Sequence, residues 1–547
     1  MSTSPFDEIS HGLSRAFEFI VDPFHLKKKP AKEATAPFDQ PYLEPTRWFL
    51  TEEEMKTSRN GHERQGMHLY SKGNRVKLYV ATAGYFSDVA DDMMTVHQGD
   101  LVYLTGWGTC NVPFKPHEPD TKLCDLAEAA VKRGADWRML VWSNLTERAQ
   151  NHEVRDLINA LPPPEQNGPA RFVYDDRLPF PTSSHHQKSV IVRKGRDLVA
   201  YVGGVDLTND RWDTLEHDQA ELRERTGIKC LWNGWLDAHA RIEGPATKDV
   251  ACNFLDRWNS RDKPSQDLMD DLLDFENPEF SELPPIDESA TPLDIPTDGT
   301  HAVQLCRTFS PDYDHYNFAP QGEQSIFHAR IKAIRNAQNY IFIQDQYFIL
   351  VPELLEAIMD MMPSIERLIV IMQRTVEAEY TGYAKYLYDM VNPIQEAYPD
   401  KFKLYSTKEA RQLYIHSKLV IVDDVMTSDT EIGINIVDTE LVQSPDNITV
   451  NKLARNFRIQ KFMEATKLTY DELNAMTFLE ACDALEAAAH DDGFSLIEPY
   501  GVEFKPQFNL VSDGLRQIVD PDVVPEDDPA KKIKNFMNNL GPKKAES

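Results

Sequence analysis

Apolar and polar residues begin to alternate regularly near residue 74 and predict a succession of strands and helices. Residues 75–80 alternate polar with apolar side chains, as in a strand that buries one face. Further along, the pattern predicts a helix at 85–94, a buried strand at 101–104, a helix at 123–133 and a strand at 137–142. Because strands and helices take turns, this part of the chain is predicted to be an α/β layered fold.

The second half of the chain repeats this succession. Helices are predicted at residues 326–336 and 354–362, and strands at residues 340–343 and 368–372. Each half then reaches a strand that carries histidines. A repeat over so long a distance predicts two similar folded units in one chain.

An acidic stretch separates the two halves. Residues 262–298 contain twelve acidic residues, one basic residue and six prolines, which is typical of a linker or a surface excursion. The chain is therefore predicted to contain an N-terminal arm (1–60), a first lobe (61–261), an acidic, proline-rich linker (262–299), a second lobe (300–515) and a C-terminal tail (516–547). The tail is predicted to be a solvated segment, with a short basic amphipathic helix at a membrane surface as the alternative.

Composition narrows the class of protein. The net charge of −30 opposes general binding to nucleic acids, so no nucleic-acid partner is expected. Screening at physiological salt still lets a local basic patch contact an anionic membrane. No apolar run approaches the ~20 residues of a membrane-spanning helix, and residues 1–26 lack the basic start and apolar stretch of a secretory signal. A cytoplasmic protein that binds membranes peripherally is expected.

Two short strands carry the chemistry that the sequence predicts. In the first half, His186 and Lys188 stand two residues apart, ahead of a run of β-branched residues. In the second half, His416 and Lys418 repeat this arrangement. Residues i and i+2 of a strand point to the same side, so each strand presents one imidazole and one ammonium together. A lone histidine on a strand is more often structural, but a matching pair, one in each half, favours a shared function.

A pair of imidazoles with a pair of lysines suits phosphoryl transfer. A neutral imidazole can attack phosphorus and form a phosphohistidine, while a protonated imidazole gives its proton to the departing alcohol oxygen. Two lysines can neutralise the non-bridging phosphate oxygens. Histidine can take either role near neutral pH because its ordinary pKa is about 6.5. No metal or other cofactor is expected, and the six scattered cysteines form no zinc pattern.

The two strands resemble the HxKxxxxD motifs of the phospholipase D superfamily, in its eukaryotic-type form with two motifs. The likeness spans residues 74–468 and includes further blocks in the same order. These blocks are 184–192 (SHHQKSVIV), 201–207 (YVGGVDL) with 211–214 (RWDT), 237–246 (DAHARIEGPA), 253–259 (NFLDRWN) and 341–348 (IFIQDQYF). Unrelated chains would not share these blocks in this order, so the resemblance is specific.

This resemblance implies a bilobal fold. Two similar α/β sandwich lobes, each a mixed sheet flanked by helices, are expected to be related by a pseudo-twofold axis and to form one cleft. His186 is implied as the nucleophile and His416 as the general acid, with Lys188 and Lys418 holding the phosphate. The remaining implied site residues are Asp213 and Glu431, which orient the imidazoles, Gly203, Gly204, Asp206 and Asn435 at the substrate, and Asp423 as the structural aspartate of the motif.

Two departures from the family pattern bear on activity. The first motif has Arg193 in place of the aspartate, with Asp197 or Asp206 as compensating candidates. The second motif keeps Asp423 but lacks the Gly-Ser-x-Asn segment that follows it in the family. Either residues 433–435 (Gly-Ile-Asn) are a degenerate substitute, or a short stretch is missing after the second motif, which is the favoured interpretation. Loss of phosphate-binding donors predicts turnover reduced by a factor on the order of 10²–10³.

The sequence therefore predicts a phospholipase D that hydrolyses a phosphatidyl headgroup ester, or transfers the phosphatidyl group to an alcohol. Its expected partner is a phospholipid at a membrane surface, and a monomer is expected. Two alternatives stay open. One is a nuclease-type phosphodiesterase of the same superfamily, which the negative charge disfavours. The other is a catalytically impaired relative that binds lipid or has a regulatory role, and Arg193 and the altered segment after Asp424 motivate it.

Overall fold

A computed structural model describes residues 38–508 of the chain, except for residues 143–147, 165–167, 179–183, 227–231, 261–276, 287–291, 312–315, 375–380, 430–431, 492, 494, 507. Thirteen α-helices lie within the described residues. They are α1 Pro45–Trp48, α2 Glu52–Thr57, α3 Thr82–Met94, α4 Leu123–Lys132, α5 Arg148–Asn159, α6 Ala220–Arg225, α7 Ala246–Trp258, α8 Ser325–Arg335, α9 Pro352–Met361, α10 Thr381–Ala397, α11 Lys452–Thr466, α12 Tyr470–Ala475 and α13 Phe478–His490. None of these helices is both long and apolar enough to span a membrane.

Twenty β-strands lie within the same residues. They are β1 Ser71–Tyr79, β2 Leu101–Gly106, β3 Asp136–Trp142, β4 Phe172–Asp175, β5 Ser189–Lys194, β6 Asp197–Gly203, β7 Gly234–Leu236, β8 His239–Glu243, β9 His301–Phe309, β10 Glu323–Gln324, β11 Tyr340–Asp345, β12 Arg367–Met372, β13 Phe402–Thr407, β14 Leu413–Ile415, β15 Lys418–Val422, β16 Met426–Asp429, β17 Ile432–Asp438, β18 Leu441–Gln443, β19 Thr449–Asn451 and β20 Ile497–Pro499. The strands and helices predicted from the alternation of residues are confirmed.

Sixteen of these strands form one mixed sheet that runs through both halves of the chain. Its order is β20-β13-β12-β11-β15-β16-β17-β9-β1-β8-β6-β5-β2-β3-β4, and β10 pairs with β9 at the side. The halves meet where β1 pairs antiparallel with β9, with Ser71 opposite Val303. The two halves are therefore joined by strand pairing as well as by the chain itself.

The strand pairings of the first half recur in the second half. β2 pairs parallel with β3 and antiparallel with β5, and β5 pairs antiparallel with β6. In the same way β11 pairs parallel with β12 and antiparallel with β15, and β15 pairs antiparallel with β16. The mixed α/β fold is confirmed, while the pseudo-twofold relation of two lobes stays a prediction.

Helices cover both faces of the sheet, and the central strands are therefore buried throughout. Every residue of β2 and of β11 is buried, as is typical of strands covered on two sides. In the first half, α3 and α4 pack on one face and α7 packs on the other. In the second half, α8 and α9 pack on one face, and α11 and α13 pack on the other. The apolar stripes of these helices thus account for the helical periodicity in the sequence.

The described parts of the predicted arm and linker are packed against the folded halves. Trp48 and Phe49 are buried in the core of the second half. Leu283 and Ile286, from the predicted linker, are buried in the core around α7. The remainder of the predicted arm, much of the predicted linker and the whole predicted tail lie outside the described residues. The domain boundaries stay predictions.

A separate two-stranded sheet joins the halves next to the histidine strands. β7 pairs parallel with β14, with Leu236 opposite Ile415. The next residues along the two strands are Asp237 and His416, and the N–H of His416 donates to the carbonyl of Leu236 at 2.8 Å. This pairing therefore brings a carboxylate of the first half beside a histidine of the second half.

Candidate active site

The imidazoles of His186 and His416, one from each half of the chain, face each other in the structure. Their ring centroids are 5.2 Å apart, and the ring planes are inclined by 54°. His186 lies just before β5, and His416 lies between β14 and β15. His416 is buried, whereas His186 is half-buried. A group between the rings can contact both, because hydrogen-bond reach is about 3 Å from each nitrogen.

Lys188 is held beside His186 by a backbone carbonyl and a carboxylate. Its ammonium donates to the carbonyl of His186 at 2.8 Å and lies 3.2 Å from Asp206 Oδ2. Asp206 Oδ1 accepts the N–H groups of Trp107 and Gly108 at 2.9 and 3.2 Å. Burial raises the pKa of Asp206, but the charges of Lys188 and His186 outweigh burial and lower the pKa below its ordinary value. Asp206, predicted at the substrate, is thus an ionised partner of the first lysine.

His416 has a carboxylate on one side and an ammonium on the other. Its Nδ1 lies 2.8 Å from Asp237 Oδ2, and its Nε2 lies 3.0 Å from Lys418 Nζ. Since a carboxylate accepts and an ammonium donates, the consistent state is a neutral ring that carries its proton on Nδ1. Burial and the positive charges of Lys418 and His186 lower the pKa of His416 well below its ordinary value. In this arrangement His416 presents a lone pair at Nε2.

Gly204 makes room for the carboxylate that contacts His416, and Gly203 makes room for the neighbouring His239. A β-carbon on Gly204 would overlap Asp237 Oδ1, and a β-carbon on Gly203 would lie 2.6 Å from Nδ1 of His239. Any side chain at Gly204 would therefore displace Asp237. The structure gives these two glycines, predicted at the substrate, a supporting part behind Asp237 and His239.

Asp213, predicted to orient a catalytic imidazole, contacts a different histidine. Its Oδ2 lies 3.4 Å from Nδ1 of His217 and 3.0 Å from Nη1 of Arg223. The carboxylate at His416 is Asp237 instead. The reason is topological, since Asp237 directly follows the strand that pairs beside His416, whereas Asp213 packs against α6. The prediction for Asp213 is corrected accordingly.

His217 is a buried imidazolium that links the two halves. Its Nε2 lies 3.0 Å from Oε1 of Glu464 in α11, and its Nδ1 faces Asp213. Burial lowers the pKa of His217, but the hydrogen bonds with Asp213 and Glu464 outweigh burial and raise the pKa to about 9. Lys461 donates both to Glu464 Oε2 and to the carbonyl of Asp237, each at 3.1 Å. A chain of buried charges thus runs from Asp213 to the backbone of Asp237.

The protein is expected to lose stability at alkaline pH through His217. Its pKa of about 9 in the folded protein exceeds the ordinary value of 6.5, so its contribution is complete below pH 6.5 and is lost as the pH rises through about 9. The expected loss in the free energy of unfolding is on the order of 3 kcal/mol. Urea unfolding at several pH values measures this loss. His217→Gln, which cannot titrate, should flatten the slope in this window, and an unchanged slope would contradict the assignment.

Asn435, a site residue predicted in the second half, contacts a cysteine in the structure. Asn435 lies in β17 opposite Ser428, and its Nδ2 lies 3.2 Å from Cys306 Sγ. Within the described part of the chain, the Asn435 side chain bonds to Cys306 and to neither histidine, so its prediction as a substrate contact is corrected. Glu431 lies outside the described residues.

Asp423 caps the start of β11. It is buried, and its carboxylate accepts the backbone N–H groups of residues 338–340 at 2.5, 2.8 and 2.8 Å. In the first half, Arg193 stands at the matching place in the motif and donates to backbone carbonyls instead. Asp197 is exposed and Asp206 is engaged in the site, so neither replaces the missing aspartate.

The strand β16, which follows the strand of the second lysine, is shorter than its counterpart in the first half. It comprises the four residues Met426–Asp429, whereas its counterpart β6 comprises the seven residues Asp197–Gly203. The chain after β6 continues to Asp206, which contacts Lys188. Within the described residues, the chain after β16 contributes no such contact to Lys418. The shorter strand agrees with the interpretation that a short stretch is missing after the second motif.

Three side chains near the histidines were not predicted as site residues from the sequence. Asp237 contacts His416, as described above, and the ring of Trp235 lies edge-on to His416 at 5.5 Å between centroids. The guanidinium carbon of Arg211 lies 3.3 Å from the centroid of the Trp235 ring. Asp237 and Arg211 belong to blocks that carry the family resemblance, but the partners of these blocks across the two halves are not visible in the sequence.

Lysine and arginine side chains supply the positive charges near the two histidines. They are Lys188 and Lys418, with Arg211 beside them. Within the described residues, no three His, Cys, Asp or Glu side chains are gathered as ligands for a metal ion.

The chain has a mixed α/β fold in which each half contributes one histidine and one lysine to a single site. This is the arrangement that the sequence analysis connects with the phospholipase D superfamily. A family model described as phospholipase D matches residues 101–371. This match, together with the relatives described next, supports the assignment of the chain to the phospholipase D superfamily.

Plant phospholipases D are among its relatives. Phospholipase D gamma 1 of Arabidopsis thaliana is 26% identical over 324 residues, which cover 48% of this chain and 37% of that protein. Phospholipase D alpha 1 of Oryza sativa subsp. japonica is 28% identical over 313 residues, which cover 46% of this chain and 37% of that protein. The chain thus spans well under half the length of the relatives it matches.

Among solved structures, the chain is similar to phosphatidylserine synthase of Haemophilus influenzae. The match has a TM-score of 0.42 at 11% identity and covers 72% of this chain and 87% of that chain. This likeness of fold is too distant for any inference about function.

Proposed function

We propose that this protein is a phospholipase D-type phosphodiesterase that hydrolyses the headgroup ester of a glycerophospholipid through a phosphohistidine. The observation that carries the proposal is the 5.2 Å separation of the His186 and His416 rings, each with a lysine beside it. Two imidazoles at this distance can act on opposite sides of one phosphorus. The phospholipid is met at a membrane surface, where its headgroup enters the cleft.

In the first step, a nitrogen of His186 attacks phosphorus and a P–N bond forms. The P–O bond to the headgroup alcohol breaks, and His416 gives its proton to the departing oxygen. In the second step, His416 takes a proton from water, the resulting hydroxide attacks phosphorus, and the P–N bond breaks to release His186. An alcohol in place of water would give the transphosphatidylated lipid. Lys188 and Lys418 neutralise the non-bridging oxygens in both steps.

The negative charge of the bound substrate favours the protonated form of His416 that the first step requires. In the arrangement described above, Lys418 and His186 hold the pKa of His416 low, and the ring is neutral. A phosphodiester anion between Lys188 and Lys418 offsets these positive charges, so protonation of His416 becomes more favourable. Asp237, which accepts from Nδ1, then stabilises the imidazolium. His416 is therefore proposed to act as the acid only when the phosphate is bound.

The short strand β16 favours a second candidate, a relative that binds lipid with little turnover. Within the described residues, the chain after β16 offers Lys418 no counterpart of the contact that Asp206 makes with Lys188. Reduced turnover, by a factor on the order of 10²–10³, is the milder form of this candidate. Vesicle binding that survives the loss of both histidines, with no turnover in the parent protein, would be its signature.

Hydrolysis of phosphatidylcholine and phosphatidylethanolamine vesicles tests the proposal directly. The purified protein, in buffer with a chelator, is expected to release the headgroup and, with a primary alcohol present, to form the phosphatidyl alcohol. His186→Ala should abolish both products. His97→Ala, which alters an exposed histidine, is the matched control and should behave as the parent. Identical behaviour of His186→Ala and the parent would sink the proposal.

A further inference from the structure

Arg211 is a nearly buried cation on the His416 side of the site. It ends the short 3-10 helix Asn209–Arg211 that follows β6, and it is 6% exposed. Its guanidinium carbon lies 3.3 Å from the centroid of the Trp235 ring. Trp235 is 9% exposed, and its ring lies edge-on to His416. The stacking fixes the plane of the guanidinium next to the second histidine.

One edge of this guanidinium has no acceptor among the described residues. Nη1 donates to Asp210 Oδ2 at 2.8 Å. Within the described residues Nε and Nη2 have no hydrogen-bond partner, and Nε is enclosed by protein. Nε and Nη2 lie on the same edge of the planar group, the edge that binds carboxylate or phosphate with two parallel hydrogen bonds. A buried donor such as Nε without an acceptor is costly, so it calls for a ligand oxygen, and Nη2 on the same edge can donate to the same ligand.

The two lysines of the site also have partners, but Arg211 differs from them because it keeps a further pair of donors on one edge. Lys188 lies beside Asp206, and Lys418 donates to Nε2 of His416. The positive charge of Arg211 also lowers the pKa of His416 and that of Asp206, in keeping with its place near both halves of the site. Arg211 is thus a third cation, with a geometry for two hydrogen bonds that neither lysine offers.

We infer that Arg211 binds an oxyanion of the substrate through its Nε and Nη2 edge, on the side where the headgroup leaves. The identity of the substrate as a phosphodiester lipid rests on the proposed function. Two sources supply the same oxyanion chemistry: a carboxylate on the headgroup, or the non-bridging oxygens of the phosphodiester itself. In either case Arg211 is a binding residue of the site, and Trp235 is the surface that positions it.

Calorimetric binding of two soluble phosphodiesters separates these sources. Glycerophosphoserine and glycerophosphoethanolamine differ only in one carboxylate, and both are titrated into His186→Ala protein, in which turnover is blocked. Adding Arg211→Gln is expected to weaken binding about 10- to 100-fold, as for the loss of charged hydrogen bonds. Weakening confined to the serine diester assigns the headgroup carboxylate as the ligand. Equal weakening of both diesters assigns the phosphate.

Two further variants keep this test decisive. Arg211→Lys retains the charge but not the paired donors, so it should also lose affinity while its thermal stability stays near that of the parent. Arg225→Gln removes an arginine whose side chain is 74% exposed and should bind as the parent does. The inference is overturned if neither diester binds, or if Arg211→Gln and Arg211→Lys bind both diesters with parental affinity. A parent that binds both diesters but hydrolyses no lipid would retain this inference and lose only the proposed function.

Discussion

His416→Ala is expected to cleave a p-nitrophenyl phosphodiester while losing nearly all activity on a phospholipid. A headgroup alcohol is a poor leaving group that needs a proton as it departs, and His416 is the proposed donor. The expected loss on the phospholipid is about 10²–10⁴-fold, the usual contribution of general acid catalysis. p-Nitrophenolate departs without a proton, so the loss on that substrate should be much smaller. Steady-state kcat on the two substrates measures the difference.

His186→Ala should show the opposite pattern and lose both activities. Without this imidazole no P–N bond forms, and an easier leaving group does not replace the nucleophile. Acid quenching of a reaction with labelled lipid should therefore trap a phosphoenzyme in the parent and none in His186→Ala. If His186→Ala, rather than His416→Ala, retained activity on the p-nitrophenyl phosphodiester, the two histidines would have the reverse of their proposed roles.

Asp237→Asn is expected to lower kcat at least about 100-fold with a modest change in stability. The carboxylate lies 2.8 Å from Nδ1 of His416 and fixes both the ring and its tautomer. Asparagine has a similar shape but lacks the charge that stabilises the imidazolium. A misplaced catalytic ring costs about this factor even when the displacement is small. The measurements are kcat on a phospholipid and the free energy of unfolding of the same protein sample.

Asp213→Asn is the comparison that separates the two aspartates. Asp213 is buried between Arg223 and His217, so its neutralisation removes the carboxylate that faces the buried guanidinium of Arg223 and should cost about 3–5 kcal/mol of stability. The fraction that remains folded should retain most of its kcat. The reverse outcome, a large loss of kcat in folded Asp213→Asn and none in Asp237→Asn, would restore the role first predicted for Asp213.

The sequence was sufficient for the fold class and for the four central side chains. Alternation of apolar residues revealed the strands, and the spacing of His186 with Lys188 and of His416 with Lys418 marked the strand face that they share. These are local signals, because period and spacing are set by the backbone of one element. The meeting of the two histidines was implied by the family resemblance.

Contacts across the halves were harder to predict. The family resemblance implies Asp213 as the acidic residue that follows the first motif, yet Asp237 contacts His416 because β7 pairs with β14. A parallel pair between segments so far apart in the chain leaves no pattern in either segment alone. Asn435 is a similar case, because β17 pairs with β9 and Asn435 lies beside Cys306 rather than beside a histidine.

The junction of β1 with β9 limits how this protein can open. Rotation of one half against the other would break backbone hydrogen bonds in the central sheet and between β7 and β14 at once. Access to the histidines should therefore depend on loops and side chains at the rim, and the catalytic groups should already be aligned before a lipid arrives. An enzyme of this kind would distinguish substrates by the size and shape that the entrance to the site admits, and not by a movement of its two halves around the bound substrate.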